Sequence, residues 1–179
     1  MLVGSKVCLT PFVQADAPFL FAWQNDAALA RLNGLCRPLD QNKFNEWFNP
    51  IGKDPSRVVF ALRRLGDPRL LGYVQIINIQ TPSRSAELGL LIGEPTDRDQ
   101  GLGQEAAGLA LDFCWRELNL QRVSLAVVGD NPRAIKTYRK AGFEAEGVLR
   151  RAAFVDGAFR DITIMAVLRG DAEPPTGPA

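Results

Sequence analysis

The 179-residue sequence predicts an α/β fold of the α+β kind: a mixed, largely antiparallel sheet with helices on both faces. Three observations predict it. Strand-like and helix-like patterns follow one another in the order β-α-α-β-β-β-α-β-α-β-β. The longest helix-like run, from Gly101 to about Leu118, lies between the strand-like runs Ala86–Gly93 and Arg122–Val128, so those two strands join through a parallel crossover. The other strands follow one another through short turns, and Asp156-Gly157 is a strong two-residue hairpin signal.

Each element has its own signal. Lys6 to Phe12 alternates weakly and reads as a first strand. Asp16 is placed to N-cap a helix through Phe19, Leu20 and Trp23, with Pro18 tolerated in its first turn, and Asn33-Gly34 ends that region. Asp40 is placed to cap a second helix through Phe44, Trp47 and Phe48, stopped by Pro50. These aromatics are expected in the core. Arg57–Arg64 and Leu70–Gln80 are strands joined by a turn at Gly66-Asp67-Pro68; Thr81-Pro82-Ser83 turns the chain into the strand carrying Glu87. Glu94-Pro95-Thr96-Asp97 breaks the pattern. Leu102, Ala106, Leu109, Ala110 and Phe113 then recur at spacings of three and four, the stripe of an amphipathic helix. Arg122–Val128 is a strand, Asn131-Pro132 opens another helix, and Val148–Val155 and Ala158–Leu168 flank the hairpin turn. One domain is expected over 1–169. The stretch 170–179 holds three prolines and two glycines and is expected to be disordered.

Composition narrows the chemistry. A net charge of +1 argues against a protein that holds nucleic acid by bulk charge. Cys8, Cys36 and Cys114 are too widely spaced for a disulfide framework or a CxxC metal site. The start lacks a signal-peptide core and no apolar run approaches membrane-spanning length, so no membrane partner and a cytoplasmic location are expected. Histidine is absent, which removes Ser-His-Asp and Cys-His nucleophilic catalysis and His-ligated zinc. Proton transfer is left to carboxylates, tyrosine, lysine, cysteine or water, and no metal is expected.

Arg98-Asp99-Gln100-Gly101-Leu102-Gly103 sits where a loop becomes a helix. Helix N-termini present unpaired N–H groups and a positive dipole end, and glycines allow close approach, so the stretch reads as a cradle for a pyrophosphate with Arg98 as a clamp. A P-loop is absent. The dinucleotide fingerprint is nominally met by Gly101, Gly103 and Ala106, but seven residues, Glu94 to Gln100, separate it from its strand. The acidic residue expected about twenty positions on is poorly supplied by Glu117 or Asp130. The third fit is the [Q/R]-x-x-G-x-[G/A] loop of the GNAT N-acetyltransferases, which Arg98 to Gly103 satisfies in full. In many GNAT enzymes a strand is followed by N-x-x-A-x-x-x-Y-x-K-x-G-F, and Asn131, Ala134, Tyr138, Lys140, Gly142 and Phe143 fill each place. The chain therefore resembles the GNAT superfamily from about Lys6 to Arg169. Trp23-Gln24-Asn25-Asp26 and the segment Glu146 to Asp161 look like its RimJ/RimL branch of ribosomal-protein alanine N-acetyltransferases.

The resemblance implies a GNAT-type fold in which the Glu87 and Arg122 strands splay apart around acetyl-coenzyme A. The pantetheine arm would pair with the backbone of Leu90, Leu91 and Ile92. Arg98, Gln100, Gly101, Leu102, Gly103 and Gln104 would hold the pyrophosphate, with Asn131 and Ala134 beside the arm. Tyr138 is the expected general acid toward the leaving thiolate and Glu87 the expected base. Without the resemblance, Tyr138 reads as a packed aromatic, Glu87 as a solvated carboxylate and Asn131 as an N-cap. Arg133, Lys136, Arg139 and Lys140 make a basic helix, mostly a solvated face, with one side chain able to reach a coenzyme phosphate. The expected acceptor is the N-terminal α-amino group of a ribosomal or other protein; the alternatives are a polyamine, an aminoglycoside or another small amine, or a coenzyme A-binding module without turnover. Monomer and homodimer are both open.

Overall fold

The computed structural model describes residues 1–33, 38–129 and 131–170. Gly34 and Cys36, Asp130, and the tail expected to be disordered beyond Gly170 lie outside the described residues. Cys8 and Cys114 are free and buried. Among the described residues no helix is long and apolar enough to cross a membrane.

Eight strands form one sheet: β1 (Leu2–Val3), β2 (Val7–Thr10), β3 (Val58–Arg64), β4 (Leu70–Gln80), β5 (Ser85–Ile92), β6 (Arg122–Val128), β7 (Glu144–Val155) and β8 (Ala158–Leu168), in the order β1-β2-β3-β4-β5-β6-β8-β7. All neighbours are antiparallel except β5 and β6. The crossover helix is α4 (Leu102–Arg116); α1 (Ala17–Gln24), α2 (Ala27–Asn33) and α3 (Gln41–Phe48) precede β3, and α5 (Pro132–Lys140) follows β6.

Helices cover both faces, as the alternation of the strands requires. On one face Ala106, Ala107 and Ala110 of α4 pack with Val7, Leu9, Val74, Ile76, Leu88, Val123 and Leu125. On the other, Leu20 and Trp23 of α1, Leu29 of α2 and Phe44 of α3 pack with Ala61, Leu70 and Leu91. Phe44 stands edge-on to Phe21 and stacks on Phe48, with ring centroids 5.4 and 5.5 Å apart, so Trp23, Phe44, Trp47 and Phe48 join the core as expected, whereas Phe19, at 53% exposure, does not.

The β5–β6 pair sets the site. Their parallel pairing lasts for three residues, from Ser85–Arg122 to Glu87–Ser124, and then stops. Beyond it β5 stays bonded to β4 as far as Ile92, and β6 stays bonded to β8 along its whole length. Each strand is held from its far side while the near sides diverge. This is the splay the family resemblance implied.

Four sequence expectations need correction. The first helical region is two helices, because Asn25 and Asp26 draw the backbone out of the helix: Asn25 bonds both the N–H and the carbonyl of Leu39, and Asp26 accepts from Leu29 N–H at 2.8 Å. Asp16 occupies the N-cap position of α1 but caps nothing in it; its carboxylate accepts from Val13 N–H and, at 2.6 Å, from Arg63 Nη2. β1 is only two residues long and carries no periodicity to read. β7 starts at Glu144 rather than Val148, because the ladder continues across an irregularity between Ala145 and Gly147 while Arg122 pairs with Glu146. Asp40 does cap α3, accepting from Lys43 N–H at 2.9 Å.

Candidate active site

The loop after β5 is held from several sides. Gly93 lies so close to the Trp23 ring that a Cβ there would come within 2.0 Å of Cε2. Trp23 Nε1 donates to Glu94 at 3.0 Å. Asp97, buried, receives both Arg69 Nη1 and Nη2, at 2.9 and 2.8 Å; these bonds hold its carboxyl below the usual carboxylate range. Arg98, expected as a clamp, gives Nε and Nη2 to the carbonyls of Ile92 and Gly93, at 3.3 and 2.7 Å, and so ties the loop to the end of β5. It still lines the cavity.

Gly101 is the N-cap of α4, at φ +78°, and no side chain caps the helix. The first helical bond is Glu105 N–H to Gly101 O, which leaves the N–H groups ahead of Glu105 without intrahelical partners. The two glycines of the loop differ. Gly101 is required by its backbone conformation, whereas a Cβ on Gly103 would make ordinary contacts of 3.5–3.6 Å with Ile92, Leu90 and Thr137. That is the physical content of a motif that demands glycine at one place and accepts alanine at the other.

The second motif resolves into two caps. Asn131 Oδ1 accepts from Ala134 N–H at 3.1 Å, with Pro132 in the first turn, so its side-chain oxygen is an N-cap. At the other end Gly142, at φ +95°, donates to Arg139 O, and Phe143 N–H donates to Tyr138 O, both at 3.0 Å. This is a Schellman closure, whose apolar contact is Phe143 against Tyr138, edge-on at 5.6 Å. The terminal Gly-Phe of the motif therefore fixes the ring of the tyrosine. Tyr138 is buried, and burial pushes its phenol pKa up to about 12. Its hydroxyl has no hydrogen-bond partner among the described residues, and its side chain lines the cavity.

That cavity fills the wedge between the splayed strands. Leu90, Leu91 and Ile92 of β5 form one wall and Ala126 and Val127 of β6 the other. Gly101, Gly103 and Gln104 close it at the start of α4; Asn131, Ala134, Thr137 and Tyr138 close it along α5. The apolar residues Leu29 and Leu32 of α2 complete it, and Arg98, Asp99 and Arg133 are its charged residues.

Most of the expected site residues are thus brought together, and three are not. Gln100 points away, bracing Thr96 O at 2.7 Å and accepting from Arg64 at 2.9 Å. Leu102 is sunk in the core at 1% exposure, so only its backbone faces the loop. Glu87 is exposed at the last β5–β6 pair, accepts from Asn78 Nδ2 at 3.0 Å, and does not line the cavity. Sequence reasoning missed Thr137, Leu29 and Leu32. Thr137 was within reach, since positions 134, 137 and 138 share one helical face. Leu29 and Leu32 carry the i, i+3 spacing of a wall, but nothing local says which cavity the wall bounds.

A family model described as an acetyltransferase (GNAT) domain matches residues 6–144. The spermidine N(1)-acetyltransferase of Vibrio cholerae serotype O1 is 34% identical over 100 residues, 56% of this chain and 57% of that protein. The chain thus aligns with little more than half the length of that curated relative. A probable N-acetyltransferase of Bacillus subtilis, YjcK, is 29% identical over 182 residues, covering 97% of this chain and 99% of that one. The crystal structure of spermidine N-acetyltransferase from Vibrio cholerae in complex with CoA and spermine superposes with a TM-score of 0.86 at 26% identity, covering 94% of this chain and 98% of that one. The same enzyme has also been solved as a dodecamer.

Proposed function

The chain belongs to the GNAT acetyltransferase family, and from that premise we propose that it transfers an acetyl group from acetyl-coenzyme A to a primary amine of a polyamine of the spermidine class. The observation that carries the acceptor is the likeness, over nearly the whole of both chains, to a spermidine acetyltransferase crystallised with CoA and spermine. The wedge between β5 and β6, with unpaired N–H groups at its α4 end and Tyr138 in its wall, supports the donor half.

The thioester supplies the activation; the protein positions, and stabilises the departing charge. The backbone of Leu90–Ile92 would pair with the pantetheine arm, and Gly101, Gly103 and Gln104 would offer N–H groups to the pyrophosphate, with Arg98, Ala134 and Asn131 around them. Tyr138 would donate to the sulfur. A phenol at about 12 facing a thiol near 8.5 makes complete proton transfer uphill by about 5 kcal/mol. Its role is a hydrogen bond that strengthens as the C–S bond breaks.

A lysine-like amine, near pKa 10.4, is neutral only about once in 2,500 at pH 7, against about one-seventh for an α-amino group, so a polyamine needs more help losing its proton. Glu87 is kept as the proposed base, acting from the exposed face of β5 through water, since no direct contact links it to the cavity. The RimJ/RimL reading, with a protein N-terminus as acceptor, finds no counterpart among the relatives named above. The dodecameric relative widens the expected monomer or dimer to larger assemblies.

The test is thiol release from acetyl-coenzyme A with spermidine, spermine and a panel of N-terminal peptides. Turnover on the polyamines is the expected result. Turnover confined to peptides would replace the acceptor and keep the chemistry; coenzyme binding without turnover on any amine would leave a coenzyme-binding module. If spermidine acetylation proceeds undiminished in Glu87→Gln, Glu87 is not the base.

A further inference from the structure

Two residues at variable places of the two motifs meet at the cavity. Asp99 stands in the loop ahead of α4, in the left-handed region at φ +60°; Arg133 stands in the first turn of α5. Both line the cavity, and Arg133 Nη1 lies 3.7 Å from Asp99 Oδ2. Their side chains are 43% and 69% exposed, so the pair adds little to stability. Arg98 lines the same cavity; burial lowers the pKa of its guanidinium, and the Arg133 charge pushes it the same way. Two cations therefore line the end of the wedge where the N–H groups of α4 are unpaired, and one carboxylate lies beside Arg133 there.

We propose that Arg133 is a binding residue for the coenzyme pyrophosphate and that Asp99 is its built-in competitor, holding the guanidinium at the cavity when the site is empty and yielding it when the coenzyme enters. The inference rests on the acetyl-coenzyme A reading above. Asp99 neutralises Arg133 in the free protein and opposes the anion in the complex. It therefore weakens the grip on coenzyme and speeds the release of the free thiol product. Arg133 acts in the opposite direction, with a charge-assisted bond that the carboxylate at 3.7 Å does not itself provide well.

Equilibrium binding of coenzyme A, 3′-dephospho-coenzyme A and pantetheine to the full chain and to two variants tests this. Arg133→Gln is expected to bind coenzyme A at least about tenfold more weakly. It should show the same loss with the 3′-dephospho form and bind pantetheine, which has no phosphate, as the unaltered protein does. Asp99→Asn keeps a residue that tolerates the left-handed backbone, and is expected to bind coenzyme A about two- to fivefold more tightly. Unchanged coenzyme A binding in Arg133→Gln overturns the inference while leaving the acetyltransferase reading intact. A loss that vanishes with 3′-dephospho-coenzyme A overturns the assignment to the pyrophosphate, and equal losses with pantetheine would mean a distorted cavity rather than a lost charge. If Asp99→Asn binds no tighter, Asp99 is no competitor. Failure of the unaltered protein to bind coenzyme A at all overturns the reading and the inference together.

Discussion

Replacing Tyr138 by phenylalanine removes one oxygen and nothing else that the structure uses. The ring stays edge-on to Phe143, the Schellman closure is made by backbone, and the hydroxyl has no partner among the described residues to lose. The variant should therefore melt within about 0.5 kcal/mol of the unaltered protein, and coenzyme A should bind it equally well. Turnover should fall, because a hydrogen bond to a developing thiolate is lost. Bonds to charged groups contribute about 1.5–3 kcal/mol, or about 10- to 150-fold in kcat. The raised pKa adds a sharper condition. With the phenol at about 12, Tyr138 remains protonated at every pH at which the enzyme can be assayed, so the ratio of the two rates should be flat from pH 6 to about 10. The assay is thiol release at saturating acetyl-coenzyme A and amine across that range. A variant within twofold of the unaltered rate would refute the role. A ratio that closes toward one between pH 9 and 10 would refute the protonation argument, since it would mean that the phenol ionises near its ordinary value.

Other expectations follow from the same geometry. Gly101→Ala forces a side chain into a left-handed backbone and should cost about 1–2 kcal/mol in unfolding free energy and weaken coenzyme A binding, whereas Gly103→Ala should stay within about 1 kcal/mol of neutral and bind normally. Asn131→Ala removes the N-cap of α5 and should lose about 1 kcal/mol by chemical denaturation, with Asn131→Asp keeping most of it. Asp97 has its carboxyl pKa lowered, first by the Arg69 bonds, so its contribution is present above the unfolded value near 3.9 and lost as pH falls through the lower folded one. Arg69→Ala should cost about 1–2 kcal/mol at neutral pH and flatten the acid limb of the stability curve; an unchanged limb would mean that Asp97 is not its source.

What could be read in advance was whatever is written locally. The α4 stripe, the Asp156-Gly157 turn, with φ of +52° and +74°, and the Asn-Pro and Gly-Phe ends of α5 all act within a few residues, and each stands where the sequence put it. The cap of α3 was legible for the same reason, and the cap of α1 was not, because Arg63, 47 residues away, takes the Asp16 carboxylate. The break at Asn25 and Asp26 was visible as residue types but depends on Leu39 for its force. In the site, the glycine loop and the tyrosine announced themselves. Arg98 was legible as a residue of the cavity, but its bonds to two carbonyls at the end of β5 were not, because nothing in its local sequence encodes them. Arg133 and Asp99, 34 positions apart, come together only through the crossover, and no short-range pattern encodes that.

The divergence of β5 from β6 has a consequence for the protein when nothing fills it. A sheet normally exposes unpaired amides only at its two outer rims; here a third rim runs through the interior, along Leu88–Ile92 facing Leu125–Val128. Water must hydrate it in the empty protein, and those amides should exchange with deuterium far faster than those bonded to β4 and β8, although all of them belong to the same two strands. An amide-bearing guest laid along the rim would slow that exchange selectively and raise the melting temperature by closing the sheet. Until then the molecule carries, at its centre, the kind of open ladder that proteins usually confine to their edges.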